Sequence, residues 1–150
     1  GNLFMTENMG KLLKEAYYAL NNALDSVARR YDLTAAQMAM IDFLRLSSGK
    51  KTINQREIEQ EFNIKSSTVT LLIDRMVAKN FIVRRESAKD KRVKEIFLTT
   101  KGFDISDVIK TIIQSHDSYV LNGYSDAERD VIVSFLKHVS KISWDGHDDQ

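Results

Sequence analysis

The segment spanning residues 54–102 constrains the fold most, because two short helical patterns are followed directly by a strand, a basic tip and a second strand. Residues 84–94 contain six Lys or Arg side chains and two carboxylates. Residues 66–76 begin with small polar side chains and place apolar side chains along one side. Such a helix followed by a basic hairpin suits a protein that reads one DNA groove and contacts the next.

The positive charge of the chain is concentrated in this part of the sequence. The formal net charge of the whole chain is +1. Residues 45–101 carry 14 Lys and Arg against 7 Asp and Glu, a net of +7, whereas the other residues carry 8 against 14, a net of −6. A basic segment between acidic flanks is typical of a protein that binds nucleic acid with one face.

Composition excludes several classes of function. The chain has no Cys and three scattered His, which argues against thiolate metal sites, disulfides and thiol switches, and we expect no metal or cofactor. Ser115, His116 and Asp117 are triad residue types, but consecutive helical positions diverge by about 100° and cannot converge on one atom. No phosphate-binding loop or nucleophile elbow occurs, so we expect no enzyme. No apolar run approaches the ~20 residues that span a bilayer, so we expect a soluble, cytoplasmic protein without membrane contact.

Apolar spacing predicts a mainly helical chain with a small β-hairpin. A stripe of apolar residues predicts a long first helix from about residue 7 to residue 31. Capping boxes mark three later helix starts: Thr34 with Gln37, Asn54 with Glu57, and Ser125 with Glu128. Residues 81–85 and 93–98 are rich in β-branched and aromatic residues and predict a two-stranded hairpin, to which residues 51–53 add a candidate third strand.

These elements predict one domain over residues 1–150, with a winged helix-turn-helix core at 32–102 and long terminal helices at 5–31 and 103–144. The terminal helices carry more apolar surface than so small a core covers. A homodimer with interlocked terminal helices would bury this surface and set two recognition helices about 34–36 Å apart on a pseudo-palindromic site. The alternative is a monomer that folds these helices back on itself.

The second short helix presents small polar side chains on the side away from the core. Ser66, Ser67 and Thr70 lie there, and Ser and Thr side chains can hydrogen-bond base edges or phosphates in a major groove. The simpler interpretation is that these residues only cap the helix.

The hairpin tip presents Lys89, Lys91 and Arg92, and an Arg-tipped hairpin can enter a minor groove about 6 Å wide. The alternative is a solvated, charged edge that prevents strand aggregation. Asp90 lies between these cations, and phosphate repulsion argues against its contact with DNA. We expect it to pair with Arg75 or Arg92 and to hold the hairpin against the helix.

The order of elements and three motifs resemble the MarR family of transcriptional regulators. The motifs are STVTLLIDRM at residues 67–76, IVRR at 82–85 and DKRVKEIFLTTKG at 90–102. The resemblance implies a dimer formed by the terminal helices, base contacts from residues 66–70, minor-groove insertion by Arg92 and backbone contacts from neighbouring cations. The expected DNA-binding residues are Ser66, Ser67, Thr68, Thr70, Arg75, Arg84, Lys89, Lys91 and Arg92.

The resemblance also implies a small-molecule effector, often a phenolic or lipophilic anion, between the dimer helices and the winged core. Candidate pocket residues are Tyr17, Tyr31, Phe43 and His116, although a core or interface histidine is the simpler interpretation of His116. The chain departs from the family pattern at Leu71, where an Arg or polar residue is common, and at Asn80, which replaces the usual Gly before the wing, the hairpin at residues 81–98. The absence of Cys excludes sensing by thiol oxidation.

The sequence therefore predicts a sequence-specific, ligand-responsive repressor that binds double-stranded DNA as a homodimer. Two alternatives remain open. One is a ligand-independent, more architectural DNA-binding protein. The other is a helical interaction module whose basic hairpin binds an acidic protein.

Overall fold

The computed structural model describes residues 8–147 and is mainly helical, with one small antiparallel sheet. The elements are α1 (Met9–Ala28), a 3-10 turn (Arg29–Tyr31), α2 (Ala35–Ser47), β1 (Ile53–Asn54), α3 (Gln55–Phe62), α4 (Ser66–Ala78), β2 (Ile82–Glu86), β3 (Lys94–Leu98), α5 (Thr100–Val120) and α6 (Asp126–Val139). The predicted order of elements is confirmed. Residue 7, the predicted start of the first helix, lies outside the described residues.

The chain divides into two compact units, and the boundary between Ile113 and Gln114 falls inside α5. The first unit contains the three-stranded sheet, helices α1 to α4 and the part of α5 up to Ile113. The second contains the end of α5 together with α6. The sequence predicted one domain over 1–150 without this boundary, and the assignment of 5–31 and 103–144 to dimerisation remains a prediction.

Reciprocal hydrogen bonds fix where three of the helices begin. The Thr34 hydroxyl accepts a hydrogen bond from the Gln37 N–H, and the Gln37 side chain accepts one from the Thr34 N–H, both at 3.1 Å. The same arrangement occurs at the other two predicted boxes, Asn54 with Glu57 and Ser125 with Glu128. Each box satisfies N–H groups that have no partner within the helix. All three predicted helix starts are confirmed.

Asn80 ends α4 in the left-handed conformation, with φ of 64°. The N–H of Phe81 donates to the Met76 carbonyl at 3.1 Å, and the N–H of Asn80 donates to the Val77 carbonyl at 2.9 Å. Asn adopts this conformation at less cost than most other residues with a side chain. The chain therefore turns from α4 into the wing without a glycine, as the cap chemistry predicted.

The sheet has the strand order β1-β3-β2, and both pairings are antiparallel. Ile96 in the central strand pairs with Ile53 on one side and with Arg84 on the other. The predicted hairpin is confirmed. The candidate third strand at 51–53 is present as Ile53–Asn54, slightly later in the chain.

One apolar cluster holds the first unit together and sets the rotation of α4. Val69, Ile73 and Met76 on α4 are fully buried and belong to the same cluster as Ile41 of α2 and Ile58 of α3. Because these three side chains face inward, the opposite side of α4 faces solvent.

Gly102 allows α5 to begin directly against the end of α4. The Thr99 N–H donates to the Phe81 carbonyl at 3.1 Å, and the Thr99 hydroxyl accepts from the Gly102 N–H at 3.0 Å. Gly102 is buried, and a Cβ atom at this position would overlap the carbonyl oxygen of Phe81. A side chain here would push the start of α5 away from the α4–wing junction.

We expect Gly102→Ala to lower the free energy of unfolding by about 1–3 kcal/mol, because the clash is with backbone rather than with a flexible side chain. Urea unfolding at a fixed protein concentration measures this change. Gly10→Ala is the matched control, since its nearest neighbour is a side-chain oxygen at 3.6 Å. Gly10→Ala is expected to be neutral or stabilising by up to about 1 kcal/mol. Equal unfolding midpoints for the two variants would contradict the packing described for Gly102.

Candidate nucleic-acid interface

The solvent side of α4 carries the side chains that the sequence predicted for base contact. Ser66, Ser67 and Thr68 are exposed at the start of the helix, and Arg75 is exposed near its end. Lys65 occupies the cap position, but its side chain makes no capping hydrogen bond. The N–H groups of the first turn are therefore available to an anion such as a phosphate.

This uncapped start distinguishes α4 from the other α-helices within residues 8–147. Side chains cap α1 through Asn8 and α5 through Thr99, and capping boxes begin α2, α3 and α6. A missing cap costs about 1 kcal/mol of helix stability. Among the α-helices in the described part of the chain, the one that lacks a side-chain cap is the one whose exposed side carries the predicted base-reading residues.

Thr70 lies on the side of α4 that faces α3. Its hydroxyl accepts a hydrogen bond from the Gln55 side chain at 2.7 Å and donates to the Ser66 carbonyl at 3.0 Å. The structure thus places Thr70 as a bridge between the two helices of the helix-turn-helix. Its predicted contact with DNA remains a prediction, and Gln55 was not singled out in the sequence.

A salt bridge between Arg84 and Asp74 joins the wing to α4. Arg84 Nη2 donates to Asp74 Oδ1 at 2.7 Å. The sequence assigned the joining of hairpin and helix to Asp90, but the structure gives this role to Arg84 and Asp74. The DNA contact that the sequence predicted for Arg84 remains a prediction.

Asp90 pairs with Arg92, one of the two partners that the sequence suggested. Its Oδ1 accepts from the Arg92 backbone N–H at 3.0 Å and from Nε at 3.1 Å, while Oδ2 accepts from Nη2 at 3.1 Å. Because both residues lie within the tip, this pair orders the tip and does not connect it to the helix. The side-chain hydrogen bond from Arg92 holds the pKa of Asp90 below its ordinary value, and the backbone hydrogen bond acts in the same direction.

The other contacts within the hairpin do not bury the cations that the sequence predicted to bind DNA. Lys94 pairs with Glu86 across the two strands at 3.1 Å. Lys89, Lys91 and Arg92 are exposed, and the side chain of Arg92 is 91% accessible even while it contacts Asp90. The tip is therefore structured and presents cations.

A groove between α3 and the wing is lined in part by Arg56, a cation for which the sequence predicted no role. Its volume is about 440 Å³. The lining residues are Asn54, Gln55, Arg56, Glu59, Arg92, Val93 and Lys94. Arg56 is exposed in the first turn of α3, and the folded chain places it in the same groove as Arg92. The basic face thus extends from the wing onto α3.

The structure does not gather the candidate effector residues of the first unit into one cavity. Tyr31 lines a cavity of about 370 Å³ with Phe81 and Lys101. Phe43 packs edge-to-face on Phe62 at 5.8 Å between ring centroids and lines a different cavity. Tyr17 is 64% exposed on α1.

In the second unit, His116 is half-buried, with its Nδ1 3.6 Å from the Asp117 carboxylate. The effector roles of the four candidates remain predictions.

A further cavity of about 450 Å³ lies where α2, the sheet and the start of α5 meet. Its lining includes Leu44, Phe97 and Phe103 together with Lys50 and Lys51. Lys51 forms a salt bridge with Glu57, and apolar walls beside Lys50 suit a small lipophilic anion. The sequence pattern could not identify this set, because its members come from separate elements.

Two other observations concern residues 8–147. No cluster of three or more His, Cys, Asp or Glu side chains is arranged there to hold a metal ion. No helix in that range combines the length and apolar character needed to cross a membrane.

Comparison with known proteins gives a consistent result. The family model described as the MarR family matches residues 31–93. The chain is 36% identical to the transcription regulator MarR from Oenococcus oeni PSU-1, with a TM-score of 0.75, covering 90% of this chain and 100% of that one. It is 26% identical to the HTH-type transcriptional regulator PecS of Dickeya dadantii, covering 81% of this chain and 74% of PecS. The S. aureus MepR–DNA complex has a TM-score of 0.84 at 21% identity, covering 91% of this chain and 99% of MepR. These likenesses confirm the predicted winged helix-turn-helix fold.

The Asp90–Arg92 pair gives a testable pH dependence. Since the pKa of Asp90 is lowered, the pair stabilises the folded tip at pH values above the ordinary Asp pKa of 3.8, and this contribution is lost as the pH falls through the lowered value. We expect Arg92→Ala to raise the pKa of Asp90 toward 3.8, as measured by NMR titration of its carboxyl carbon. Lys91→Ala should change this pKa less, because it leaves the Arg92 hydrogen bonds in place. An Asp90 pKa that is the same in wild type and Arg92→Ala would show that the pair does not form in solution.

Proposed function

This chain belongs to the MarR family of transcriptional regulators, and on that premise we propose that it is a ligand-responsive repressor that binds a pseudo-palindromic operator as a homodimer. Membership of a family of regulators agrees with the expectation that the chain is not an enzyme. The observation that carries the DNA-binding proposal is the joint placement of an uncapped, exposed α4 and an ordered cationic tip. A regulator of this kind would act in the cytoplasm.

In the proposed complex α4 enters a major groove and the tip enters the adjacent minor groove. Ser66, Ser67 and Thr68 face base edges or phosphates, and Arg92 enters the minor groove, where its guanidinium exchanges Asp90 for DNA acceptors. Arg56 extends the cationic face to the backbone beside the wing. The MepR–DNA complex supports this arrangement, since the same fold is found there on DNA.

The second unit supplies the main support for a homodimer. No side chain within residues 114–147 is buried, although this segment is rich in apolar residues. Its exposed large apolar side chains are Tyr119, Val120, Tyr124, Val131, Val133, Phe135, Leu136, Ile142 and Trp144. So small a helical unit without a core needs a partner surface. A second copy of the chain supplies that surface through its own exposed terminal helix.

The ligand response rests on the cavity that includes Leu44, Lys50 and Phe103. A small lipophilic anion would place its apolar body against Leu44 and Phe103 and its charge near Lys50. Because this cavity is bounded by the central strand of the sheet and the start of α5, an occupant would contact elements that also position the wing. Binding that favours a wing position unsuited to DNA would lower operator affinity.

DNA binding should weaken by about 10³–10⁵-fold between 50 and 200 mM salt if 6–10 phosphates are contacted. In the same assay, Arg92→Ala should cost about 1–3 kcal/mol of operator affinity and leave the dimer intact, because Arg92 lies between β2 and β3 and belongs to none of the terminal helices proposed to form the dimer. Fluorescence anisotropy with labelled duplexes measures the affinity, and light scattering measures the oligomeric state.

Lys110→Ala is the control for removal of an exposed cation, since Lys110 lies on α5 outside the basic segment. Its affinity for duplex DNA should match that of wild type. Duplex affinity that does not change with salt, or a dissociated Arg92→Ala dimer with unchanged DNA affinity, would contradict the proposal.

We expect Leu136→Asp to raise the dimer dissociation constant at least tenfold, because a carboxylate would be buried against apolar side chains of the second copy. Sedimentation velocity over a range of concentrations measures this change. Ser134→Asp adds the same charge about 200° around α6 and should leave the dimer unchanged. Equal effects of the two substitutions would show that this side of α6 is not at the interface.

A further inference from the structure

Leu71 is a large apolar side chain at the centre of the solvent side of α4. We propose that it recognises thymine, through contact between its methyl groups and the thymine C5-methyl group in the major groove. This inference rests on the proposed DNA binding and adds a specific base preference to it.

The position of Leu71 follows from the rotation of α4. Val69 and Ile73 are both fully buried, and each lies two residues from Leu71, or about 200° around the helix. Leu71 therefore points almost directly away from the core, and it is 50% exposed. Half of its surface remains in solvent, so packing within the chain does not by itself explain a leucine here.

The surroundings of Leu71 are polar. Its neighbours one helical turn away are Ser67 and Thr68 on one side and Asp74 and Arg75 on the other, and all four are exposed. Asp74 is held by Arg84. Leu71 is thus a single apolar side chain between short polar groups at the start of α4 and a fixed carboxylate farther along.

Base chemistry selects the partner for such a side chain. Among the groups that base pairs present in the major groove, the C5-methyl of thymine is the apolar one, and the others are hydrogen-bond donors or acceptors. Leucine placed over a donor or acceptor would remove it from water without offering a partner, which is unfavourable. Contact with a thymine methyl removes apolar surface from water on both sides.

A protein partner is the other occupant that an exposed leucine suggests. The charge around α4 favours DNA instead, because the helix has an uncapped, positively polarised start and lies beside the cationic tip. An isolated leucine is also much smaller than the apolar patches that mark protein interfaces.

The test removes single methyl groups from the DNA. A duplex is selected by the wild-type protein from a random-sequence pool, and each thymine is then replaced in turn by deoxyuridine, which differs only by the methyl group. For the wild type, replacement at one thymine in a half-site should weaken binding about fourfold, the factor that corresponds to ~0.8 kcal/mol for one buried methyl group. Leu71→Ala should bind the selected duplex more weakly and should be insensitive to deoxyuridine at that thymine.

Leu46→Ala is the matched control, because Leu46 is 54% exposed and lies on α2 rather than on α4. It should keep both the affinity and the deoxyuridine sensitivity of the wild type. Urea unfolding of all three proteins confirms that the exposed substitutions leave the fold intact.

The remaining outcomes distinguish this inference from the function on which it rests. If the wild type selects a duplex but no deoxyuridine substitution matters, or if Leu71→Ala keeps the full sensitivity, thymine recognition by Leu71 is wrong and DNA binding stands. If Leu71→Ala instead changes oligomeric state without changing DNA affinity, Leu71 belongs to a protein interface. If the wild type selects no duplex, the proposed function fails and this inference fails with it.

Discussion

Burial of Val69, Ile73 and Met76 fixes the rotation of α4 about its axis. This rotation decides what each of the other sides of the helix contacts. With those three side chains in the core, Leu71 points to solvent, Thr70 points to Gln55 of α3, and Asp74 points to Arg84 of the wing. A shift of one residue would turn every side chain by about 100° and break all three arrangements together. The packing of α4 in the core, its contacts with α3 and the wing, and the side chains that it exposes to solvent therefore all depend on one orientation of this helix.

The wing is positioned by two ionic contacts with different effects. Arg84 and Asp74 join β2 to α4, whereas Asp90 and Arg92 fix the shape of the tip. Exposed pairs of this kind contribute only about 0–1 kcal/mol to stability. Their main effect is on direction, because they limit the orientations from which the exposed cations approach a partner.

Local chemistry made much of this fold predictable. The capping boxes join residues three apart, and the apolar stripe of α4 repeats within two turns, so both are visible in a short window of sequence. The Gln55–Thr70 bond joins residues 15 apart and Arg84–Asp74 joins residues 10 apart in different elements, which no local pattern reveals. For the same reason the position of Arg56 beside the wing was missed, as was the cavity that includes Leu44 and Phe103.

The uncapped start of α4 affects both the stability of the free chain and the hydrogen-bond donors that an anion could use. The free chain leaves the first-turn N–H groups of this helix to water, while side chains satisfy such groups at the start of every other α-helix within residues 8–147. A cap residue in place of Lys65 would strengthen the isolated protein by about 1 kcal/mol and fill the space where an anion would approach. Stability of the free chain and binding of an anion would thus compete for the same few hydrogen-bond donors.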